Sequence, residues 1–310
     1  MLSTADVGRV IEDDYGRTPT RISLIMSGHN DSYRVETDEA TYAFRVYGEG
    51  KSWIRGVADL RFELDLLSHL GDRGAPVSTP VARRNGDVLG TRTAPTGDRH
   101  YALFTWCPGL PIDADELTLP QAARLGAALA SIHVAADDFD SEYARYHLDE
   151  QTLIQRSLRL MSPSLRQADA GDARFITETA ARISERLRDF QPGAHGWGII
   201  HGDPQTLNCH FTEHGEIAFF DFDHCGFGWR GYDLAYCLRH TGSPGDPHGE
   251  DIRAAAVDGY ESVRPMSPAE HGMLETLGRA AWIREGTAGG NGLAPAKLAR
   301  LLRDPYGPWE

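Results

Sequence analysis

A chain of 310 residues, 41% apolar and 25% charged, has the composition of a globular protein too long for one growing core, so two lobes are expected. There is no run of 18 apolar residues, and the N-terminus, MLSTADVGRVIEDDYG, lacks a basic segment followed by an apolar one. A membrane partner and secretion are therefore not indicated, and a cytoplasmic location is expected. The net charge of −14 argues against nucleic acid and anionic lipid, which need a basic surface; it suits a cationic ligand, and solubility explains it equally well.

In chain order, TRISLIM, SYRVET and TYAFRVY (20–47) alternate apolar and polar residues with turn clusters between them, which predicts strands. A helix is predicted over 57–70, with Leu60, Leu64 and Leu67 at helical spacing and Gly71 as its stop. VARRN, DVLGTRT and RHYALFTW read as further strands of a mostly antiparallel sheet. CPGLP (107–111) punctuates the chain, and the lobe boundary is placed there: 1–107 is a β-rich lobe and 108–310 a helical one. Residues 119–139, 173–190 and 269–286 have helical patterns. Cysteines at 107, 209, 225 and 237 form no CxxC and read as idle thiols in a reducing compartment. The sequence leaves the oligomeric state open.

The chemistry concentrates in HGDPQTLNCHFTEHGEIAFFDFD (201–223). Carboxylates among apolar neighbours are costly unless paired or bound to a cation. If CHFT and EIAFFD form a hairpin with a two- or four-residue loop, 212 faces 217 and Asn208 faces Asp221. Opposite residues of such a pair have Cβ atoms about 4.5–5.5 Å apart. An amide oxygen and a carboxylate at that spacing suit one hard cation, and oxygen ligands without thiolate favour Mg²⁺. Asp203, biased toward extended backbone by Pro204, is placed as a general base for a hydroxyl. Asp233 reads as a helix N-cap, and His201 as a residue that packs and shapes the loop.

His-x-Asp-x-x-x-x-Asn followed by Asp-Phe is the pattern of protein-kinase-like phosphotransferases. With HGDPQTLN at 201–208 and GYDLA at 231–235, the chain resembles the aminoglycoside phosphotransferase and choline kinase family. The resemblance covers about residues 20–240 and implies an α+β, two-lobed protein-kinase-like fold: an antiparallel N-lobe, a mostly helical C-lobe and an active site in the cleft. It implies ATP as donor, Mg²⁺ on Asn208 and Asp221, and a small-molecule hydroxyl as acceptor. The alternatives are a Ser/Thr kinase acting on a polypeptide and an inactive nucleotide-binding scaffold. Asp223 stands where protein kinases carry glycine; a second Mg²⁺, a cationic substrate and the loop backbone are all open to it.

Arg45 faces away from the apolar positions Tyr42, Phe44 and Val46 and occupies the place of the kinase lysine. Glu63, beside the apolar stripe of the helix, is its expected partner, with Asp59 and Asp65 turned away. Lys51 is expected to be solvated. SGHNDSY (27–33) stands where a phosphate-covering loop would be. Gly28 and Asn30 tolerate positive φ there and would bring backbone N–H groups to phosphate.

Overall fold

The computed structural model describes residues 2–94, 97–239, 241, 246–287 and 293–303. The chain divides into two compact units, Met1–Pro108 with Phe139–Ala144, and Gly109–Asp138 with Arg145–Glu310.

In the first unit, Ser3 and Asp6 cap each other's backbone and start helix α1 (Thr4–Val10). The helix continues as a wider turn over Ile11–Tyr15. The sequence reading assigned no element here, although the Ser-x-x-Asp spacing of the cap was present. Five strands follow: β1 (Pro19–Ser27), β2 (Asn30–Thr37), β3 (Thr41–Tyr47), β4 (Gly90–Ala94) and β5 (Gly97–Thr105). They form one antiparallel sheet in the order β1-β2-β3-β5-β4.

Tyr42, Phe44 and Val46 of β3 are buried against Val7, Val10 and Ile11 of the opening helix, together with Tyr33, Val35 and Leu103. Burying each such side chain is worth roughly 1.5–3 kcal/mol, which fixes the β3 register and sends Arg45 to the other face. Helix α2 (Val57–Asp72) buries Leu60, Leu64 and Leu67, with Glu63 among them.

Two expectations about the strands and helix α2 fail in this unit. VARRN is not a strand: after Pro80 the chain turns, with Arg83 N donating to Asp87 O at 2.9 Å and Gly86 N to Arg83 O at 2.9 Å. Asn85-Gly86 is a turn signal that outweighs the β-branched start. Asp59 does not turn away. It is buried and accepts from Arg55 N (2.6 Å), Nε (3.2 Å) and Nη2 (2.8 Å) at the start of α2.

The second unit holds α3 (Leu119–Ala135), α4 (Ser157–Gln167), α5 (Ala170–Asp189), α6 (Arg230–Leu238), α7 (Pro247–Glu261), α8 (Pro268–His271), α9 (Leu274–Glu285) and α10 (Pro295–Arg303). Among them lie β6 (His147–Leu148), β7 (Trp197–Ile200) and β10 (Gly226–Trp229), in the order β6-β10-β7, and the hairpin β8 (Cys209–Phe211) and β9 (Ile217–Phe219). The core joins Ile176 and Ile183 of α5, Tyr232 and Tyr236 of α6, and Leu277, Trp282 and Ile283 of α9. All four cysteines are buried. Among the described residues, no helix is long and apolar enough to cross a membrane.

Candidate active site

Residues 201–208 leave β7 and enter β8. Gly202 has φ +82°, and a Cβ there would lie 2.2 Å from the His224 carbonyl oxygen, so glycine alone lets the loop pass. Asp233 pins this turn. Its carboxylate accepts from His201 N (2.6 Å), Gly202 N (2.9 Å) and His133 Nε2 (3.1 Å), all without exposure to water. The N-cap reading of Asp233 is therefore corrected: α6 begins at Arg230 with Trp229 at the cap, so Asp233 lies inside the first turn and caps the loop instead. His201 is buried, its Nε2 donating to Phe220 O (3.0 Å) and its Nδ1 accepting from Asp203 N (3.3 Å). Burial lowers its pKa, which keeps the ring neutral in this role.

Asp203 Oδ2 accepts from Asn208 Nδ2 at 3.1 Å and Gln205 Nε2 at 3.3 Å. Its Oδ1 is buried and has no hydrogen-bond partner. Burial raises the carboxyl from 3.8 to about 7, against the lowering pull of the Tyr236 hydroxyl, Arg284 and Arg239, and the Asp221 charge adds to the rise. A carboxylate poised there suits proton transfer near neutral pH. Asn208 Nδ2 also donates to Asp203 O at 2.9 Å, so the amide nitrogen is committed and the amide oxygen is turned away from Asp203.

The expected hairpin register is off by one. Cys209 pairs with Phe219, His210 with Ala218 and Phe211 with Ile217. Thr212 N donates to Glu216 O (2.9 Å), leaving a three-residue loop of Glu213, His214 and Gly215, the last at φ +81°. Such loops need a left-handed glycine at the end, and their odd length shifts the pairing. Asn208 consequently faces Phe220, whose N–H donates to Asn208 O at 2.9 Å. Asp221 reaches its place by another route. It has φ 65° and ψ 57°, the one non-glycine residue at positive φ among the described residues. Left-handed backbone costs a non-glycine residue roughly 1–2 kcal/mol and marks a site where surrounding structure imposes the conformation.

Asp223 follows in a turn over Phe222–His224; it is buried, with its Oδ1 3.8 Å from His224 Nε2. Arg145 donates to the backbone oxygens of Asp223 and, at 2.8 Å, of Cys225. Asn208, Asp221 and Asp223 offer oxygen alone, the donor chemistry of a hard divalent cation. Among the described residues, no three His, Cys, Asp or Glu side chains cluster as a metal cage.

In the first unit, Arg45 Nη1 and Glu63 Oε1 are 3.0 Å apart, with the Glu63 side chain fully buried and Arg45 12% exposed. The guanidinium also lies 5.3 Å from the centre of the Phe104 ring. Lys51 is not solvated. It is buried beside the Tyr47 and Trp53 rings, and its Nζ donates to Asn30 Oδ1 at 2.7 Å. Asn30 Oδ1 also accepts from Gly48 N at 3.2 Å. Neither Gly28 nor Asn30 has positive φ; the turn closes with Gly28 N donating to Asn30 O at 3.1 Å, and Asn30 opens β2. Contrary to expectation, the side chain of Asn30, and not a left-handed backbone at Gly28 or Asn30, shapes the turn.

The profile of the phosphotransferase enzyme family (APH) matches residues 22–266. The chain belongs to this family. A homoserine kinase of Methylocella silvestris is 30% identical over 288 residues, covering 91% of this chain and 84% of its own. The solved structure of a microcompartment-associated aminopropanol kinase superposes with a TM-score of 0.77 at 22% identity, over 97% of this chain and 94% of that one. An amicoumacin kinase bound to AMP-PNP, Ca²⁺ and amicoumacin has a TM-score of 0.78 at 17% identity, covering 100% and 96%. The expected two-lobed, kinase-like α+β fold holds. The chain is an ATP-dependent phosphotransferase whose acceptor is a hydroxyl of a small molecule.

A cavity of about 440 Å³ in the second unit of this phosphotransferase is bordered by Gln205, Thr206 and Leu207 of the loop, by Cys237, and by Asp113 and Asp115. Five site residues escaped the sequence reading: Tyr236, Arg239 and Arg284 around Asp203, His133 on Asp233, and Arg145 on the Asp223 turn. Arg239 lies 3.4 Å from the centre of the Tyr236 ring and pairs with Glu285. The available signal was an arginine beside buried apolar residues, as in AAWIREG, where Trp282 and Ile283 are buried.

Proposed function

We propose that the enzyme phosphorylates a small alcohol carrying an amine, using Mg²⁺ as its divalent ion. The observation that carries this reading is the cavity: the loop bearing Asp203 forms one wall, and Asp113 and Asp115, both exposed, supply negative charge for an ammonium group. The net charge of −14 and the names of two relatives, a homoserine kinase and an aminopropanol kinase, agree with it.

In this reading the first unit handles the nucleotide and the second the acceptor. Asp203 accepts the proton of the acceptor hydroxyl or orients it. Asn208 and Asp221 would hold the ion, with Asp223 beside them; when bound, it supplies positive charge to the phosphate oxygens. Arg45, held by Glu63, adds a planar two-pronged donor to the phosphates. Gly28 and Asn30 shape the turn that covers them.

A panel of amino alcohols, sugars, amino acids, antibiotics and Ser/Thr peptides, followed by ADP release, tests the acceptor class. Turnover on amine-bearing alcohols well above their deaminated analogues is the expected outcome. A preference for peptides or for uncharged sugars would refute it.

Arg45→Ala is expected to raise the KM for ATP and lower kcat, with kcat/KM down roughly 10²-fold. Arg45→Lys should recover part of this, because the charge stays and the fork goes. Glu63→Gln should act in the same direction but less, and the double variant less than additively. Steady-state kinetics in ATP checks this. If Lys51→Ala cripples ATP use and Arg45→Ala does not, Lys51 is the phosphate ligand.

A further inference from the structure

Arg284, on α9, donates to three acceptors: one in the loop after β7, one in the turn over Phe222–His224 and one on α6. Its Nη1 donates to Gly202 O at 2.5 Å and to the Tyr232 hydroxyl at 3.1 Å, and its Nη2 approaches His224 Nδ1 at 2.7 Å. Gly202 is one residue before Asp203; His224 closes the turn that carries Asp221 and Asp223. The two segments already touch, since a Cβ on Gly202 would meet the His224 carbonyl oxygen at 2.2 Å. A guanidinium has no acceptor, so His224 Nδ1 accepts and the neutral ring carries its proton on Nε2, which lies 3.8 Å from Asp223 Oδ1. Two further side chains bind the backbone of this turn: Arg145 on the Asp223 and Cys225 carbonyls, and Tyr146 on that of His224 at 3.1 Å. Arg284 grips both segments at once, and the His201 ring, 4.1 Å from that of Phe222, packs one against the other.

We propose that Arg284 is a positioning residue, a clamp that sets the distance between the catalytic base on one segment and the ion-binding acids on the other. This rests on the roles given above to Asp203, Asn208 and Asp221. The chemistry favours arginine: one rigid plane reaches a carbonyl, a hydroxyl and an imidazole in different directions, whereas an ammonium on a flexible stem occupies one point. Misplacement of reacting groups by about 1 Å can cost 10²-fold in rate. The clamp works on the geometry of the two segments and not on nucleotide affinity.

The test uses Arg284→Lys, Arg284→Met and His224→Leu in the full chain, with steady-state kinetics and backbone hydrogen exchange over 201–203 and 222–225. Both Arg284 variants are expected to lose about 10- to 100-fold in kcat with the KM for ATP within about twofold. Exchange should accelerate in both segments. His224→Leu should lower kcat in the same direction, and the double variant should lose less than the sum. Near-normal kcat in Arg284→Lys would overturn the clamp, since charge alone would then suffice; so would unchanged exchange in either segment or additive losses. If Arg284→Met does not fold, Arg284→Lys and His224→Leu decide. If the wild type phosphorylates none of the acceptors, the proposed function fails, while the exchange measurements still decide whether Arg284 clamps the two segments.

Discussion

Asp203→Asn is expected to lower turnover by roughly 10²- to 10⁴-fold while raising the melting temperature of the metal-free enzyme at pH 8. The two effects share a cause. Burial raises the Asp203 carboxyl from 3.8 to about 7, so the folded chain holds a proton that the unfolded chain releases. The folded state therefore binds more protons between about pH 4 and pH 7, and its stability falls as pH rises through that window. Above pH 7 the enzyme carries an ionised carboxylate with one buried oxygen, Oδ1, that lacks a hydrogen bond. Asparagine keeps an oxygen for Asn208 and Gln205 and removes the charge. A gain of roughly 2–4 °C at pH 8, corresponding to about 1 kcal/mol, should shrink toward zero at pH 5. Melting curves in EDTA, paired with kinetics at saturating Mg-ATP, check it. A residue with a merely structural role would lose stability on substitution, so a lower melting temperature with near-normal turnover would remove Asp203 from the base role.

Asp221→Gly is expected to abolish metal-dependent turnover, by more than about 10²-fold, with little change in the metal-free melting temperature. The position is left-handed, at φ 65° and ψ 57°, a conformation glycine adopts without strain. Relief of roughly 1 kcal/mol offsets the entropy that glycine adds to the unfolded chain. Backbone strain therefore gives the fold little reason to keep aspartate here, and in the role proposed for it the carboxylate is what turnover needs. Asp221→Asn, which tolerates the same backbone and lacks the charge, should be nearly as inactive. Thermal shift with ATP, plus and minus Mg²⁺, separates the roles: the Mg²⁺-dependent increment should vanish in Asp221→Gly and Asn208→Ala and survive in Asp203→Asn. Equal responses in all three variants would remove the division of labour between base and ion ligands.

Much of the candidate site was legible because its residues lie close together in sequence. HGDPQTLN, DFD and YDLA sit within residues 201–235, and the alternation in TYAFRVY aimed Arg45 away from the core. Local pattern could not give the hairpin register. A three-residue loop ending in left-handed Gly215 moved every pair by one, and Asp221 reached its place through backbone strain that no propensity encodes. The supporting groups were hidden for a different reason. Arg284 comes 82 residues after the Gly202 carbonyl it binds, and His133 lies 100 residues before Asp233, so only the packed core brings them together. Lys51 was misjudged because a lysine in a loop is usually solvated, whereas here Asn30 and two aromatic rings bury it. Opening helix α1 was short, and its capping pair, Ser3 and Asp6, went unread.

The central claim, transfer of the ATP γ-phosphate to a hydroxyl through Asp203, is tested most directly by ³¹P NMR of Mg-ATP with the best amine-bearing alcohol of the panel. Wild-type enzyme should convert the γ-phosphate resonance into that of a phosphate monoester, one per ADP formed, and Asp203→Asn should slow this by at least 10²-fold. ADP accompanied by free phosphate alone, or a monoester formed equally fast by Asp203→Asn, would contradict it.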